Sequence, residues 1–502
     1  MRNVGPQSGD VAAPSESVRD RALVAALAAG VFFAALDQSV LATAMPTVAG
    51  DLDGFRALPW IGTAYLLTAT LSMPVAGRVS DALGTRRVLL ISLALLGLGS
   101  ALGAVAPTMI SVIVARGIQG LGAGGIGTAA FVAIAEVAGP HRRGRYQSYL
   151  GALFGVASVV GPPLGGLITD ALSWRWIFWL NVGAAVLILL VTGWVLPQTS
   201  RTMDDTRMDY PGIVLVGLLV TGLVLLSSVS VTSYALPALT AATVAALIAV
   251  VVVERRSDHP LLPPIVLRRA GVAGASVVGF LAAMALFGLL TYLPVFLQLV
   301  NGHDPARAGT LLIPFMATVV AASMTVGRIV DRTRRPWPFI AGGTAVAALA
   351  MALFAGMDVE TPQLVTALFG VLFGLGIGMV MQLIVLAGQG DAPDGMIGTA
   401  TSTVLFVREI GSLLGVTALG GVMNARLAPA LARVPGGAER VDDLTPQTLG
   451  SLPPDDRLAI ASVFRQALSA VFTASTMLLV LASFVALVVR LRLKRGAERL
   501  AP

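Results

Sequence analysis

The sequence has no cysteine, only one lysine and few charged residues of either sign. Without cysteine there is no disulfide framework, no thiolate ligand for a metal and no thiol nucleophile. Charged residues make up 12% of the 502 positions, whereas soluble domains carry about 25%. Hydrophobic residues make up 56% and the mean hydropathy is +0.84, which is more apolar surface than a soluble fold could hide. The composition therefore predicts a polytopic membrane protein.

Several motifs of enzymes and nucleotide-binding proteins are also missing. A Walker P-loop requires a lysine among its glycines, but the only lysine is Lys494, in the C-terminal tail. The three histidines lie in separate loops without a metal-binding spacing: His141, His259 and His303. Residues 120–125 match the dinucleotide fingerprint by letter, but no strand precedes them. We expect no enzymatic activity, no cofactor and no metal, so uphill transport would need an ion gradient or a separate subunit.

Long apolar runs predict an all-α fold with fourteen membrane-spanning helices, since a span needs ~20 apolar residues. The first eight lie near 22–48, 57–77, 87–106, 108–137, 147–171, 176–196, 211–231 and 235–253. The last six lie near 271–300, 307–330, 337–356, 362–388, 397–424 and 466–490. We expect two six-helix bundles, 1–200 and 271–502, joined by a linker at 201–270 that carries two extra spans. The polar stretch 425–465 is expected to be a long extracellular loop.

The net charge of +7 indicates topology rather than nucleic-acid binding. Most of the 34 Lys and Arg residues fall in the alternate short segments that include both chain ends. By the positive-inside rule, both termini are then cytoplasmic and the protein lies in the cytoplasmic membrane. The first span follows a polar stretch and is too long for the apolar part of a signal peptide, so we expect no cleaved leader.

One acidic residue lies near the middle of the first span. Asp37 falls within the apolar stretch 22–48, where a carboxylate costs roughly 2.5–3.5 kcal/mol on insertion scales. Acids at that depth usually face a bundle interior or a watery cavity and mark an ion or substrate path. We interpret Asp37 as a proton-coupling site. The alternative is a side chain nearer the outer interface that only hydrogen-bonds a neighbouring helix.

Three further charged residues lie inside predicted spans. Arg116, in span four, is expected to tune proton binding on an acid such as Asp37, or to bind carbonyl groups statically. Glu409, in span thirteen, is a second candidate proton site or a group that binds a cationic substrate, and a local ion pair with another helix is the alternative. A weaker prediction is a substrate pocket, with plain packing as the alternative for its aromatic members: Phe33, Gln38, Tyr65 and Arg408.

A short loop sequence occurs twice. Residues 77–87 read GRVSDALGTRR and residues 327–335 read GRIVDRTRR, which indicates two related halves. Glycine permits close helix approach, the acid can cap a helix or pair with an arginine, and paired arginines suit anionic headgroups. A latch between moving helices is predicted from Gly77, Asp81, Gly84, Arg86 and Arg87. The alternative is a simple positive-inside turn. In the second copy Thr333 and Arg334 replace the glycine region, so we expect that copy to have decayed.

Small residues and two prolines run through span five. Small residues form a groove, while prolines free backbone carbonyls and bend the helix. This pattern predicts a hinge and seal between the two halves, or helix packing alone, at Gly161, Pro162, Gly165 and Gly166.

At the cytoplasmic end of span four, an acid precedes the basic run HRRGR. Glu136 is expected to brace a gate by pairing with Arg143 or Arg145, or with the loop at 77–87. A solvated turn is the alternative.

Several of these motifs resemble those of one transporter family. The loop at 77–87 is similar to the signature loop of the major facilitator superfamily, and RGIQGLGAGG (116–125) and GVASVVGPPLGG (155–166) resemble its span-four and antiporter motifs. LDQSVLATAMPTVAGDL (36–52) and SWRWIFWLN (173–181) resemble the fourteen-span drug:proton antiporters of the EmrB/QacA type. The resemblance covers nearly the whole chain. Its most specific part is the span-five motif, which separates exporters from importers.

The resemblance implies proton-driven export of amphipathic, often cationic, drugs by alternating access of two helical bundles. It implies that Asp37 is the span-one acid, Asp81 the loop acid and Arg116 the span-four arginine. Span ten lacks the acid that some divalent-cation exporters of the family carry, which disfavours dicationic substrates. The implied partners are protons, the lipid bilayer and a small amphipathic molecule, with the protein a monomer. The alternatives are an uptake symporter, a lipid or metabolite carrier on the same fold, and a non-transporting membrane sensor.

Overall fold

The computed structural model describes residues 18–53, 57–196, 209–228, 236–257, 260–301, 309–431 and 454–500, and within these ranges its regular structure is helical. The first half contains α1 (Val18–Asp51), α2 (Leu58–Leu83), α3 (Thr85–Ala104), α4 (Met109–Val137), α5 (Gly139–Ala171) and α6 (Arg175–Val195). The connecting region contains α7 (Tyr210–Ser228), α8 (Leu236–Arg256) and the short α9 (Pro264–Leu267). The second half contains α10 (Ala270–Val295), α11 (Ile313–Thr333), α12 (Pro336–Ala355), α13 (Gln363–Val380), α14 (Leu383–Gly390), α15 (Ile397–Leu431) and α16 (Pro454–Leu500).

Many of these helices are long and apolar enough to cross a membrane. Among the described residues, 11 helical stretches qualify by length and composition, or 12 if the bent α5 is taken as one span. α13 and α14 together form one such stretch, and so do α10 and the π-helical turn at Phe296–Val300 that follows it. These helices confirm a polytopic, all-helical membrane protein. Each predicted span coincides with a helix, although α2 and the shorter α7 do not meet the same criterion.

The helix ends follow local sequence signals. Thr108 precedes α4 and forms a capping box with Ser111, in which each side chain binds the other's backbone N–H. Pro336 begins α12, where the missing N–H of proline leaves no hydrogen bond unmade. Within each helix the backbone groups bond to one another, which a bilayer requires because it offers no water to them.

Glycines let neighbouring helices of the first half approach closely. On α4, a Cβ added at Gly124 would lie 2.0 Å from the Ala69 carbonyl of α2, and one added at Gly122 would lie 2.6 Å from the Leu96 nitrogen of α3. Small residues at helix contacts are the main device for tight packing in membranes. α4 is therefore held against α2 and α3 at near-minimal separation.

Helices α1–α6 pack mainly with one another, and α10–α16 do the same. The two groups meet mainly along two helix pairs, α2 with α15 and α5 with α11, with smaller contacts of α4 with α15 and of α5 with α14. The inserted helices α7 and α8 pack on each other, and α7 also contacts α2 and α15. The inserted pair therefore lies beside one of the two seams between the halves. The domain bounds at 200 and 270 stay predictions.

The predicted extracellular loop 425–465 is shorter in the structure. α15 continues to Leu431 and α16 begins at Pro454, so both ends of the predicted loop are helical. Polar residues can extend a helix beyond the bilayer because water satisfies their side chains. Residues 432–453 lie outside the described residues.

Candidate functional site

Asp37 lies inside the first half of the molecule, where it forms a salt bridge with Arg116. Nη1 of Arg116 lies 2.5 Å from Oδ2 of Asp37, and the two side chains are 1% and 0% exposed, respectively. The carboxylate is therefore buried between helices and does not face lipid, while its depth in the membrane and its role in proton coupling stay predictions. A buried ion pair needs further hydrogen bonds to offset the desolvation of two charges.

Two amide side chains supply those hydrogen bonds. Asn181 of α6 donates through Nδ2 to Oδ1 of Asp37, and Gln119 of α4 donates to the same oxygen at 3.3 Å. Gln119 also accepts from Arg116 Nη1 at 2.9 Å and donates to the Ser100 hydroxyl of α3 at 2.8 Å. The result is one buried polar network to which α1, α3, α4 and α6 each contribute a side chain.

Three members of this network, Gln119, Asn181 and Ser100, were not predicted from the sequence. Gln119 follows Arg116 by three residues, so the two share a helix face, and Asn181 ends the stretch 173–181. Ser100 is a small hydroxyl in an apolar helix, where it also bonds to the Leu96 carbonyl. The available signal was an uncharged amide within an apolar span, because a buried polar group needs a partner.

The ring of Tyr65, on α2, covers the guanidinium of Arg116. Cζ of Arg116 lies 4.1 Å from the ring centroid, which is a cation–π contact. The Tyr65 hydroxyl donates to the Ala34 carbonyl at 2.9 Å, so the ring is fixed on α1. Tyr65 interacts electrostatically with Asp37, Arg116 and also Glu409 of α15. It is therefore close to the predicted coupling groups of both halves.

Arg408 and Glu409 lie on α15, the second-half helix that packs against α2. Both are half-buried, and they interact electrostatically with each other. Within the described part of the chain, neither side chain forms a hydrogen bond or salt bridge with another residue. The alternative of a local ion pair with another helix is therefore not formed among these residues. Their roles in proton or substrate binding stay predictions.

Phe33 and Gln38 flank Asp37 on α1 without joining its network. Both are half-buried. Phe33 packs edge-on against Phe32 with ring centroids 5.6 Å apart. Gln38 forms no side-chain hydrogen bond with another described residue. A substrate pocket that includes these two side chains stays a prediction.

In the first copy of the repeated loop, Asp81 caps a helix of the other half. Its Oδ1 accepts from the Gly398 N–H at 2.7 Å, and its Oδ2 accepts from the N–H and hydroxyl of Thr399 at 2.6 and 2.7 Å. These N–H groups belong to the first turn of α15 and have no acceptor within that helix. A Cβ added at Gly77 would lie 2.1 Å from Ser402 Oγ, so α2 and α15 are in close contact here.

The second copy makes the same contact from the opposite half. Asp331 of α11 accepts from the N–H groups of Gly144 and Arg145 in α5, at 2.8 and 2.9 Å. A Cβ added at Gly327 would lie 2.0 Å from Ser148 Oγ. In both copies the acid follows the glycine by four residues, and the opposing serine follows the opposing glycine by four. The expectation that the second copy has decayed is therefore wrong for its acid and its first glycine.

The two copies differ at the residue that ends the helix. Gly84 has φ 88° and separates α2 from α3, whereas Arg334 follows α11 with φ 53°. Positive φ suits glycine and costs other residues roughly 1–2 kcal/mol. The second copy therefore has a positive φ at the end of α11, as the first copy has at the end of α2, but the residue there is arginine instead of glycine.

The remaining loop residues bind within the first half. The Thr85 hydroxyl donates to Glu136 Oε2 at 2.9 Å. Glu136 therefore contacts the loop at 77–87, which was one of the partners predicted for it. Arg86 donates to the Gly193 carbonyl of α6 at 2.5 Å, while Arg87 is exposed. The guanidinium of Arg145 lies over Tyr146, 5.3 Å from the ring centroid.

Gly161 and Gly165 of the span-five motif contact α1, whereas Gly155, at the start of the motif, faces Val320 of α11 in the other half. A Cβ added at Gly161 would lie 1.9 Å from Ser39 Oγ, and one added at Gly165 would lie 2.2 Å from the Val40 carbonyl. Gly166 has open space beside it. The helix bends by 43° at a break next to Pro162, as a proline predicts. The contact with α11 lies instead in the part of α5 that precedes the bend, so a seal formed by Gly161 and Gly165 is an internal α1–α5 contact.

An exposed ion pair lies at the far end of α1. Asp51 accepts from the Arg175 guanidinium at 2.9 Å and from the Trp174 indole N–H at 3.0 Å. These hydrogen bonds hold the pKa of Asp51 below its usual value of 3.8. Trp174 and Arg175 belong to the stretch 173–181, so one end of that stretch binds Asp51 and the other end, Asn181, binds Asp37.

Comparison with known proteins places this geometry in a family. The model of the Major Facilitator Superfamily matches residues 27–208 and 210–416. An uncharacterized MFS-type transporter of Mycobacterium tuberculosis is 35% identical over 483 residues, covering 94% of this chain and 70% of the relative. The multidrug transporter protein MdtP of Bacillus subtilis is 34% identical over 411 residues, covering 80% and 75%. The MFS-type efflux pump LUC4 of a Fusarium species is 31% identical over 454 residues, covering 87% and 80%.

A solved structure supports the fold. The human organic anion transporter TETRAN aligns over 94% of this chain and 100% of its own, with a TM-score of 0.64 and 16% identity. The repeated loop, the two groups of helices and the match to the family model all indicate the same fold family. The chain is a multi-pass, non-enzymatic membrane transporter that belongs to the major facilitator superfamily.

Proposed function

We propose that the protein is a proton-coupled antiporter that exports amphipathic, cationic or neutral drugs across the cytoplasmic membrane. The observation that carries the proposal is the buried carboxylate of Asp37, held by Arg116 and two amides. An ionisable residue inside a membrane protein is a functional site by default. The multidrug and efflux relatives support drugs as the substrate class.

Coupling can proceed if a proton replaces the Arg116 guanidinium as the group bound to the Asp37 carboxylate. The ionised carboxylate accepts from three donors, so a proton reaches Oδ2 only if the guanidinium withdraws. Arg116 has alternative partners at hand, since the same Nη1 already bonds to Gln119 and the ring of Tyr65 lies over the guanidinium. The Nε of Arg116 is buried and has no hydrogen-bond partner among the described residues. The guanidinium is therefore not fully hydrogen-bonded in its position beside Asp37.

Protonation would release α1 from α4 and change the position of Tyr65 relative to the second half. Tyr65 is held by the Ala34 carbonyl and interacts electrostatically with Glu409. We place the substrate at this face, where Phe33, Gln38, Arg408 and Glu409 are half-buried. Glu409 is then either a second proton site or the group that binds a cationic substrate.

Alternating access needs contacts between the halves that can break. The hydrogen bonds of Asp81 to the first turn of α15 and of Asp331 to main-chain N–H groups of α5 join the halves at the end that carries the repeated loops. We propose that both sets of hydrogen bonds form when this end is closed and separate when it opens. The bend at Pro162 would serve as the hinge that lets one part of α5 move with α11 while the other stays on α1.

The proposed topology has fourteen spans with both termini in the cytoplasm and the protein a monomer. It adds α2 and α7 to the 12 stretches that qualify by composition, and it divides the chain at 200 and 270. One proton moving down a potential of 100 mV supplies about 2.3 kcal/mol. This sustains a roughly 50-fold gradient of a neutral substrate.

The test compares Asp37→Asn with Asp51→Asn, a change of the same kind at the exposed end of the same helix. Both variants are expressed at equal levels, and drug-driven and pH-driven dye fluxes are measured in inverted vesicles. We expect Asp37→Asn to abolish pH-driven accumulation of dye and Asp51→Asn to retain it. Full coupling in Asp37→Asn would remove the proton role.

The same vesicles separate the rival functions. An exporter accumulates dye in inverted vesicles when the interior is acidic. An uptake symporter or metabolite carrier would move substrate in the opposite direction. Binding of the dye without any ion-dependent flux would indicate a sensor.

A further inference from the structure

A second group of buried acids lies away from Asp37, at the base of the two inserted helices. Asp209 directly precedes α7, and Glu254 lies in the last turn of α8. Each is only 6% exposed. The transport mechanism proposed above uses neither residue. Two buried carboxyl groups at one place need an explanation, because an unpaired buried charge is costly.

Part of the explanation is local hydrogen bonding. Oδ1 of Asp209 accepts from the Gly212 N–H at 2.9 Å, which caps the first turn of α7. Oε2 of Glu254 accepts from the Leu262 N–H at 2.9 Å, and Oε1 accepts from the Leu261 N–H at 3.3 Å. These bonds would suffice if both acids were only structural caps. They leave Oδ2 of Asp209, which is buried and has no partner among the described residues.

The unpartnered oxygen lies near the other acid. A Cβ added at Gly212 would lie 2.8 Å from Oδ2 of Asp209 and 3.1 Å from Oε1 of Glu254. The two oxygens therefore face the same small space beside Gly212. Oε1 is also the Glu254 oxygen with the longer hydrogen bond. Two acceptors that face each other in a buried site can be joined only by a donor between them.

The charges around the pair favour one proton as that donor. Arg78, in the loop at 77–87, interacts electrostatically with Glu254 and donates to the Pro260 carbonyl at 2.5 Å. Arg255 and Arg256, on the same helix as Glu254, are exposed. The inserted helices also contribute Val216 and Val250 to a buried apolar cluster that includes Phe406 of α15. Among the described residues, one positive charge thus stands beside two acids.

We propose that Asp209 and Glu254 form a proton-binding site and share a single proton. The proton adds to Oε1 of Glu254, which then donates to Oδ2 of Asp209, and no other bond forms or breaks. The pair carries one negative charge in this state, which matches the charge of Arg78. Like charges this close cannot both ionise without a large penalty, and two such carboxyls titrate as a pair.

The site gives the inserted helices a link to the repeated loop. Glu254 holds the backbone of Leu261 and Leu262, and Arg78 holds the carbonyl of Pro260 in the same segment. Loss of the shared proton would add a second negative charge next to that segment. The inserted helices are therefore attached to α2 through a junction that contains a titratable pair.

Infrared spectroscopy of the full chain in lipid nanodiscs, without substrate, tests the site. The C=O stretch of a protonated carboxyl is separate from the carboxylate stretches, so a shared proton contributes one such band. We expect the band at neutral pH in wild-type protein and its loss in both Asp209→Asn and Glu254→Gln. Asparagine can keep the hydrogen bond from Gly212, and glutamine can keep one of the two backbone hydrogen bonds of Glu254, because each retains one oxygen acceptor. Glu360→Gln, at an exposed acid, should leave the band unchanged.

Two results would overturn the proposal. If both variants keep the wild-type spectrum, the pair holds no proton. If only one variant loses the band, the proton belongs to one acid and is not shared. Asp37→Asn, measured in parallel, should retain the band, so the result is independent of whether Asp37 couples transport.

Discussion

Removing one member of the Asp37–Arg116 pair should destabilise the protein more than removing both charges. In Arg116→Ala, a carboxylate with 0% exposure keeps only Asn181 and Gln119 as donors. In Asp37→Asn, a guanidinium with 1% exposure loses its counter-charge. Breaking a buried ion pair from one side costs about 3–5 kcal/mol. The double variant Asp37→Asn/Arg116→Gln is uncharged and can keep amide hydrogen bonds, so its loss should be smaller than that of either single variant.

The free energy of unfolding can be measured by titration with SDS in mixed micelles. Tryptophan fluorescence supplies the signal, and the first half contains Trp174, which directly precedes α6 and is 2% exposed. Asp51→Asn is the matched control. It breaks an exposed pair whose acid is 49% exposed, and such pairs contribute about 0–1 kcal/mol.

The comparison separates stability from coupling. Both single variants and the double variant should lose pH-driven efflux, because none can exchange a proton against Arg116. If the double variant loses as much stability as the two single variants combined, the two side chains do not act as a unit. If the double variant regains pH-driven efflux, the proton is bound elsewhere.

Two further predictions concern the moving contacts. Asp81→Ala and Asp331→Ala should each weaken closure of the loop-bearing end by about 1.5–3 kcal/mol, the usual contribution of hydrogen bonds to a charged group. Distances between spin labels on α2 and α15 should lengthen in both variants, and a shift in only one would refute equivalent roles. Gly161→Val should lower thermal stability by about 1–3 kcal/mol through overpacking against Ser39 and impair efflux, whereas Gly166→Ala has open space and should match wild type in both assays. An unaffected Gly161→Val would mean that α1 and α5 can separate freely.

Asp37 and Arg116 could be found in the sequence because each is a charged residue within a long apolar span. A charge within an apolar span is costly enough to demand a partner, and the partner proved to be the one suggested. Gln119 and Asn181 were missed because an amide within a span is a weaker signal than a charge. Their hydrogen bonds to Asp37 depend on how α4 and α6 are rotated toward α1, and spacing along one helix does not determine that rotation.

The contacts between the halves were harder to predict for another reason. Asp81 and Asp331 were visible as a repeat, but the groups they bind are main-chain N–H groups of α15 and α5. Every residue except proline carries such a group, so no sequence pattern marks it. The equivalent glycine and serine positions opposite each acid, Gly398 with Ser402 and Gly144 with Ser148, become recognisable only when the helices are seen together. The second loop copy appeared degenerate for the same reason.

Each acid binds main-chain N–H groups of the helix it meets, so the side chains of Thr399 and Arg145 can change without removing those donors, whereas a Cβ at Gly398 or Gly144 would lie 2.7 Å from the carboxylate oxygen. Almost any residue could replace Thr399 or Arg145 and still offer an amide hydrogen to the carboxylate. Proline is the exception, since its ring nitrogen carries no hydrogen. Among related transporters, the residues that correspond to Thr399 and Arg145 can therefore vary while the contact is kept, provided that the two aspartates and the two opposing glycines persist.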